Sequence, residues 1–165
     1  MKGHTRAVRA LAVTPDGRRV ISGSSDSTLR VWGLQERTES MVLGGHGKAI
    51  THVLVTPDGI RAVSASTDGT CQVWDHQNGA QLLSLEGHRA PVNSLALSPD
   101  GRSLVSASAD WTLKIWNLLT GHCLATFTGE GPLKSCVCVP DGRTVIVGEE
   151  SGRIHFLRLV REHDG

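Results

Sequence analysis

Serine, histidine and aspartate recur together three times in this chain. The histidines, His4, His46 and His88, each follow a glycine and lie 42 residues apart. These residue types could do hydrolytic chemistry, in which a histidine takes the proton of a serine nucleophile and an aspartate orients the histidine. An enzyme needs such a group once, at a strained or exposed place with oxyanion donors. Three copies at one spacing indicate instead that every structural unit needs the group in order to fold.

Two further motifs follow nearly the same step and define the unit that carries these residues. One is a tryptophan after valine or isoleucine, and the other is Pro-Asp-Gly. The tryptophans are Trp32, Trp74 and Trp116, and the Pro-Asp-Gly segments begin at Pro15, Pro57, Pro99 and Pro140. A period of this length is typical of a solenoid, propeller or array, whose copies bury their apolar faces against one another. We expect one array of four units, at about residues 3–44, 45–86, 87–128 and 129–165.

The third copy shows what one unit contains. Extended segments are predicted at residues 91–98, 103–107, 112–116 and 123–127, separated by turn residues such as those of Ser-Pro-Asp-Gly. No window has the spacing of a helix of ten or more residues. Apolar residues on both faces of the inner strands suit sheets that are covered on two sides. We therefore predict an all-β fold of four-stranded antiparallel meanders, stacked radially as the blades of a β-propeller.

Composition excludes several function classes. The 165 residues carry 17 basic and 16 acidic side chains, a balance that would gather neither nucleic acid nor an anionic membrane, so we expect neither partner. No apolar run approaches the ~20 residues of a membrane helix, which favours a cytoplasmic protein. The four cysteines form no Cys-x-x-Cys pair and no phosphate-cradling glycine loop is present. We expect no metal, no cofactor and no catalytic residues.

These features resemble the WD-repeat β-propeller family, whose signature of Gly-His, roughly forty residues and a closing Trp-Asp is present from Gly45-His46 to Trp74-Asp75. The resemblance covers almost the whole chain, although the other two tryptophans are followed by glycine and asparagine. It implies a hydrogen-bonded structural tetrad in each blade. The matching residues are His4, Ser22, Asp26 and Trp32 in the first copy, His46, Ser64, Asp68 and Trp74 in the second, and His88, Ser106, Asp110 and Trp116 in the third.

The fourth copy departs from the tetrad at all four positions, where Glu130, Val147, Ser151 and Leu157 stand. We expect apolar packing to replace the polar network there, as in an atypical terminal repeat. A third strand at about residues 153–159 would leave no room for an outer strand, which predicts an open or partial propeller. Three explanations remain: the C-terminal part of a longer WD-repeat protein, which we favour, a ring built from two or more protomers, or a distorted four-bladed closure.

The resemblance also implies a binding surface on the face that carries the Gly-His and Asp loops, where side chains vary while the framework does not. Trp111 is the most distinctive residue there, because Ser27 and Gly69 stand at the same place in other copies. An indole at a loop tip is either an interface anchor or packing over its own blade. The other candidate partner-binding residues are Arg9, Thr51, Asn93 and Lys134 on the first strands, and Ser25, Thr67, Ala109 and Glu150, which precede the turn aspartate or its replacement.

The function predicted from these observations is a non-catalytic protein-interaction scaffold within a larger signalling or regulatory protein, with a protein or peptide as its partner. A propeller segment that senses a signal and gates a catalytic domain outside this chain is the alternative. Nucleic-acid binding through Arg6, Arg9, Lys48 and Arg89 is the weakest hypothesis, because acidic residues balance the basic ones and exposed aromatic residues are few.

Overall fold

The computed structural model describes residues 3–160, which form fifteen β-strands joined by short turns. The strands are β1 (Val8–Val13), β2 (Arg19–Ser24), β3 (Thr28–Gly33), β4 (Thr38–Gly44), β5 (Ile50–Val55), β6 (Arg61–Ser66), β7 (Cys71–Asp75), β8 (Ala80–Leu85), β9 (Val92–Leu97), β10 (Ser103–Ser108), β11 (Thr112–Asn117), β12 (Cys123–Thr128), β13 (Leu133–Cys138), β14 (Thr144–Glu149) and β15 (Ile154–Arg158).

These strands form four antiparallel sheets, which we call the first to fourth blades. The first three blades are the meanders β1–β4, β5–β8 and β9–β12, and the fourth is β13–β15. Strand order within each blade follows the sequence, so every connection is a tight turn between neighbours. The all-β class and the four-stranded meander predicted from the sequence are confirmed. Within residues 3–160, the fourth blade has no outer strand, as the sequence predicted.

The Pro-Asp-Gly segments form the turns between the first two strands of each blade. In the first blade the amide of Gly17 donates to the carbonyl of Thr14 at 2.8 Å, and Gly17 has a φ of 68°. The side chain of Asp16 accepts from the Arg18 amide at 3.0 Å, which closes the turn from the other side. A positive φ favours glycine, and proline presets the preceding turn geometry. This turn chemistry fixes where each inner strand ends.

The apolar core lies between the blades. Where the first blade meets the second, Ile21, Leu29 and Val31 pack against Ile50 and Val53 of the second blade. Equivalent clusters join the second blade to the third and the third to the fourth. Burial of one such aliphatic side chain contributes roughly 1.5–3 kcal/mol. Each blade is therefore stabilised mainly by its neighbours.

The array does not close on itself. The innermost strands β1, β5, β9 and β13 lie side by side in that order. Val8 and Leu11 on the first blade and Ile154 and Phe156 on the fourth are nevertheless exposed. In a closed four-bladed ring these two faces would cover each other. The described residues thus form an open set of propeller blades, and the distorted four-bladed closure is excluded for them.

Candidate protein-interaction face

One end of every blade carries the turn between the second and third strands and a loop, which holds the Gly-His pair in the first three blades and Gly129-Glu130 in the fourth. We call this the Gly-His end. In the third blade, Ser106 Oγ accepts from the indole N–H of Trp116 at 2.8 Å and lies 2.7 Å from His88 Nε2. On the other side of the imidazole ring, His88 Nδ1 lies 2.9 Å from Asp110 Oδ2. The chain of contacts runs from tryptophan through serine and histidine to aspartate.

The same arrangement is present in the first two blades. The distances from serine Oγ to histidine Nε2 are 2.7 Å and 2.8 Å, and those from histidine Nδ1 to aspartate Oδ2 are 2.9 Å and 3.1 Å. The structure thus brings together all twelve residues that the resemblance assigned to tetrads. Each aspartate also accepts from the amide that follows the histidine, at Thr5, Gly47 and Arg89. The tetrads therefore hold the Gly-His loops against the turns.

The serine, histidine and aspartate geometry resembles a hydrolase triad, but its surroundings do not suit a reaction. Ser64 and Ser106 are completely buried, and the oxygen of each already accepts from an indole N–H. A substrate could not reach these hydroxyls without displacing the tryptophan. The arrangement satisfies buried polar groups as a network, which is a structural task.

Burial and hydrogen bonding set the ionisation of the tetrads. Burial lowers the pKa of His46 and His88 and outweighs the neighbouring carboxylates. Burial also opposes ionisation of Asp110, but hydrogen bonds from Thr112, the Arg89 amide and His88 prevail and lower its pKa to about 2. Near neutral pH, the His46 and His88 rings are therefore neutral and the Asp110 carboxylate is charged.

Sequence reasoning missed one residue of each network. Thr28, Thr70 and Thr112 donate their hydroxyls to the tetrad aspartates at 2.7, 2.7 and 2.6 Å. Their hydroxyls also lie 3.0–3.3 Å from histidine Nδ1. The threonines recur two residues after the aspartate in each copy, so the repeat itself carried the signal. Each intact blade thus has a pentad of side chains at its Gly-His end.

The candidate residues of the inner strands all lie at β-bulges. The pairing register skips Arg9, Thr51, Asn93 and Lys134, each one residue after the start of its strand pairing. A bulge redirects the side chain of its extra residue. Two of these side chains join neighbouring blades, because Thr51 donates to the Val92 carbonyl at 2.6 Å and Asn93 Nδ2 donates to the Leu133 carbonyl at 2.7 Å.

The other two bulge residues pair with the candidate residues of their own blade. Arg9 Nε donates to Ser25 Oγ at 2.9 Å, and Lys134 Nζ lies 3.0 Å from Glu150 Oε1 on the exposed surface. The remaining two candidates donate hydrogen bonds to the loop of their own blade. Thr67 donates to the carbonyl of Ala49 at 3.4 Å, and Ala109 contributes its amide to the carbonyl of Pro91 at 2.9 Å.

Trp111 occupies a strained position at the tip of the β10–β11 turn. Its φ is 70°, and its side chain is 49 % exposed. The equivalent residues Ser27, Gly69 and Gly152 have φ values of 71°, 88° and 88°, so the turn requires the left-handed region in every blade. That region costs a bulky residue roughly 1–2 kcal/mol relative to a right-handed conformation. The large exposed indole is therefore held where glycine fits best.

The fourth blade contains a polar cluster that the sequence did not predict. Val147 and Leu157 join the apolar core, as expected. Glu149, however, is buried, and its carboxylate accepts from the Glu130 amide and the Ser151 hydroxyl, each at 2.8 Å. The prediction that apolar packing replaces the tetrad is wrong, because the Glu149 carboxylate holds the amide of Glu130 at the histidine position, whereas the aspartates of the other blades hold the next amide along the loop.

Two of the remaining reactive groups are partly buried cysteine thiols. Burial raises the pKa of Cys136 to about 12 and of Cys138 to about 11, so both thiols are protonated at neutral pH. Among residues 3–160, no three His, Cys, Asp or Glu side chains are grouped so that they could hold a metal ion. Nor does any part of that range form a helix with the length and hydropathy needed to cross a bilayer.

Comparison with known proteins identifies the family. The sequence matches the family described as WD domain, G-beta repeat, over residues 1–33, 37–75 and 79–117. Each match ends one residue after a tetrad tryptophan, at the last residue of the third strand of its blade. The chain belongs to the WD-repeat family. No curated protein matches it. WD repeats generally mediate protein–protein interactions and are typically non-catalytic.

Proposed function

We propose that this chain is a non-catalytic interaction module whose Gly-His end binds a protein or peptide partner within a larger signalling or regulatory protein. The observation that carries the proposal is Trp111. Its indole is half-exposed at a turn where the backbone favours glycine. Local strain of this kind persists where a side chain serves a function that the fold alone does not require. Tryptophan is also the residue most enriched among interface anchors.

Charge at the Gly-His end indicates the chemistry of the partner. Arg6, Lys48 and Arg89 lie in the loops of the first three blades and are exposed. Their side chains form no hydrogen bond or ion pair with other described residues, unlike Lys134, which is paired with Glu150. Three exposed cations at the same end of the blades as an exposed indole favour an acidic segment that also carries an apolar side chain. We propose such a peptide as the ligand.

Selection from a random peptide library displayed on phage tests this function. Trp111→Gly removes the indole and leaves the turn conformation favourable. Leu119→Ser is the matched control, because Leu119 is an exposed apolar residue of the same blade at the opposite end. We expect the wild-type chain and Leu119→Ser to enrich the same acidic peptides and Trp111→Gly to bind them at least tenfold more weakly. Peptides that bind Trp111→Gly equally well would refute the proposed site.

A further inference from the structure

Two apolar faces of the array are exposed at its ends. On the first blade, Val8, Leu11 and Val13 are 49 %, 66 % and 55 % exposed, and we call them the first-blade face. On the fourth blade, Ile154 and Phe156 are 62 % and 72 % exposed, and we call them the fourth-blade face. Each set lies on one side of its sheet, because side chains alternate along a strand and the bulge at Arg9 takes up the extra residue between Val8 and Leu11. Both faces consist of apolar residues of the kind found in the core, but no sheet among residues 3–160 covers them.

The first-blade face repeats a surface that is buried elsewhere in the chain. Ile50, Val92 and Leu133 stand at the position of Val8 in the next three blades, and all are completely buried. In the second blade, Ile50 and Val53, the equivalents of Val8 and Leu11, pack against the preceding blade. The first-blade face therefore has the form of a surface that receives a preceding blade.

The fourth-blade face repeats the opposite half of the same interface. Leu113 and Ile115 of the third blade stand at the positions of Ile154 and Phe156. Both are buried, in the cluster that also contains Leu133 and Val145 of the fourth blade. The fourth-blade face thus has the form of a surface that a following blade covers. Residues 3–160 make this interface three times and leave one half uncovered on the first blade and the other half uncovered on the fourth.

Polar contacts between blades are made by the bulge residues at two of the three internal junctions, whereas Arg9 at the first junction bonds to Ser25 of its own blade. Thr51 and Asn93 each donate to the carbonyl that begins the inner strand of the following blade. Lys134 lies at the equivalent bulge of the fourth blade, where residues 3–160 provide no following blade and its ammonium group pairs with Glu150. The equivalent acceptor in the chain is the carbonyl of Val8. In the docking register that the two apolar faces predict, Lys134 would lie beside the carbonyl of Val8.

We propose that the fourth-blade face of one copy docks on the first-blade face of a second copy. A second copy is the natural occupant, because each copy presents both halves of an interface that this sequence already forms three times. Two such contacts join two copies into a closed ring of eight blades, which is within the ~4 to 8 of known propellers. The interface is heterologous, since different surfaces of the two copies meet.

Because different surfaces of the two copies meet, each face can be tested separately by sedimentation equilibrium of residues 1–165. The wild-type protein should have twice the 17.6 kDa mass of one chain. Leu11→Glu removes the first-blade face and Phe156→Glu removes the fourth-blade face, and each variant alone should have half the wild-type mass. An equal mixture of the two should regain the mass of a dimer, because the intact fourth-blade face of one variant still fits the intact first-blade face of the other.

The controls make each result decisive. Leu119→Glu also places a charge on an exposed leucine, but outside both faces, and should leave the dimer intact. Val13→Glu and Ile154→Glu repeat the experiment if either first variant lacks the circular dichroism of the wild type. A wild-type chain that is monomeric at about 100 μM, where even a weak complex of about 10 μM affinity would form, would overturn the proposal. So would a dimer that survives Phe156→Glu but not Leu11→Glu, or a mixture that stays monomeric.

Discussion

The imidazole Nε2 of His155 lies 2.8 Å from Oε1 of Glu149, whose side chain is completely buried. Glu149 stands where the first three blades have Ser24, Ser66 and Ser108, so the polar centre of the fourth blade is built from the position midway between the tetrad serine and aspartate positions. The same carboxylate holds the Glu130 amide. Hydrogen bonds from Ser151 and His155 lower the pKa of Glu149 and keep it charged.

Glu149→Ala should therefore release the loop that begins the fourth blade. We expect the Glu130 amide to exchange with deuterium at least tenfold faster in this variant, because its acceptor is gone. Glu150→Ala is the control, since Glu150 is exposed and its carboxylate contacts only Lys134 at the surface. Equal exchange rates at Glu130 in the wild type and Glu149→Ala would show that the carboxylate does not hold this loop.

The tetrad serine is the shared acceptor and donor of its blade. Ser106→Ala would leave both the Trp116 indole N–H and His88 Nε2 without their partner in a buried site. Each stranded polar group costs about 1–3 kcal/mol, so we expect the free energy of unfolding to fall by about 2–5 kcal/mol. Urea denaturation followed by circular dichroism measures the change.

Ser84→Ala provides the comparison for this variant. Ser84 is exposed on β8, and its hydroxyl contacts only the side chain of Glu86, at 3.3 Å. Substitution of such a surface residue should change stability by no more than about 0.5 kcal/mol. If Ser106→Ala were as mild as Ser84→Ala, water or a shifted side chain would be satisfying the tetrad, and the network would not be essential to the blade.

The strands and turns were predictable because local chemistry specifies them. In the third blade, extended segments predicted at residues 103–107, 112–116 and 123–127 are each one residue longer in the structure. Pro-Asp-Gly sets the turns, and β-branched and apolar residues set the strands. The repeat then determines which positions are alike in all blades, and thus which side chains could meet.

Contacts between blades were less accessible to sequence reasoning. Thr51 and Asn93 looked like free surface residues, since nothing local shows that a bulge turns them toward the next blade. Glu149 was missed for a related reason. Its role depends on the reach of one side chain across a loop and on a histidine from the neighbouring strand, neither of which follows the 42-residue period.

Stability should fall as the solution becomes acidic. Burial lowers the pKa of His46, His52 and His88 below the value of about 6.5 that histidine has in an unfolded chain. Below that pH the unfolded chain binds protons that the folded chain does not, so the free energy of unfolding decreases as pH falls. Each such proton contributes a slope of at most about 1.4 kcal/mol per pH unit.

A second loss of stability should follow at lower pH. The pKa of Asp110 is lowered to about 2 in the fold. Its contribution is fully present above about pH 4, where the carboxyl of the unfolded chain ionises, and is lost as pH falls toward 2. Urea midpoints measured from pH 8 to pH 3 should be constant above pH 7 and then decline in both ranges. His88→Asn should reduce the slope between pH 6.5 and pH 5 by up to one proton, and an unchanged slope would contradict this account.

The variant Trp111→Gly tests whether the strained tryptophan at the Gly-His end serves binding or stabilises its own blade. Glycine relieves the left-handed strain of roughly 1–2 kcal/mol but adds freedom to the unfolded chain, so the two effects of Trp111→Gly nearly cancel. We expect the free energy of unfolding to stay within about 0.5 kcal/mol of the wild type, by urea denaturation. Ser27→Gly, at the same turn position of the first blade and with a φ of 71°, is the control. A loss above about 1 kcal/mol in Trp111→Gly alone would mean that the indole stabilises its own blade by packing, and Trp111 would then have a structural reason to be where it is.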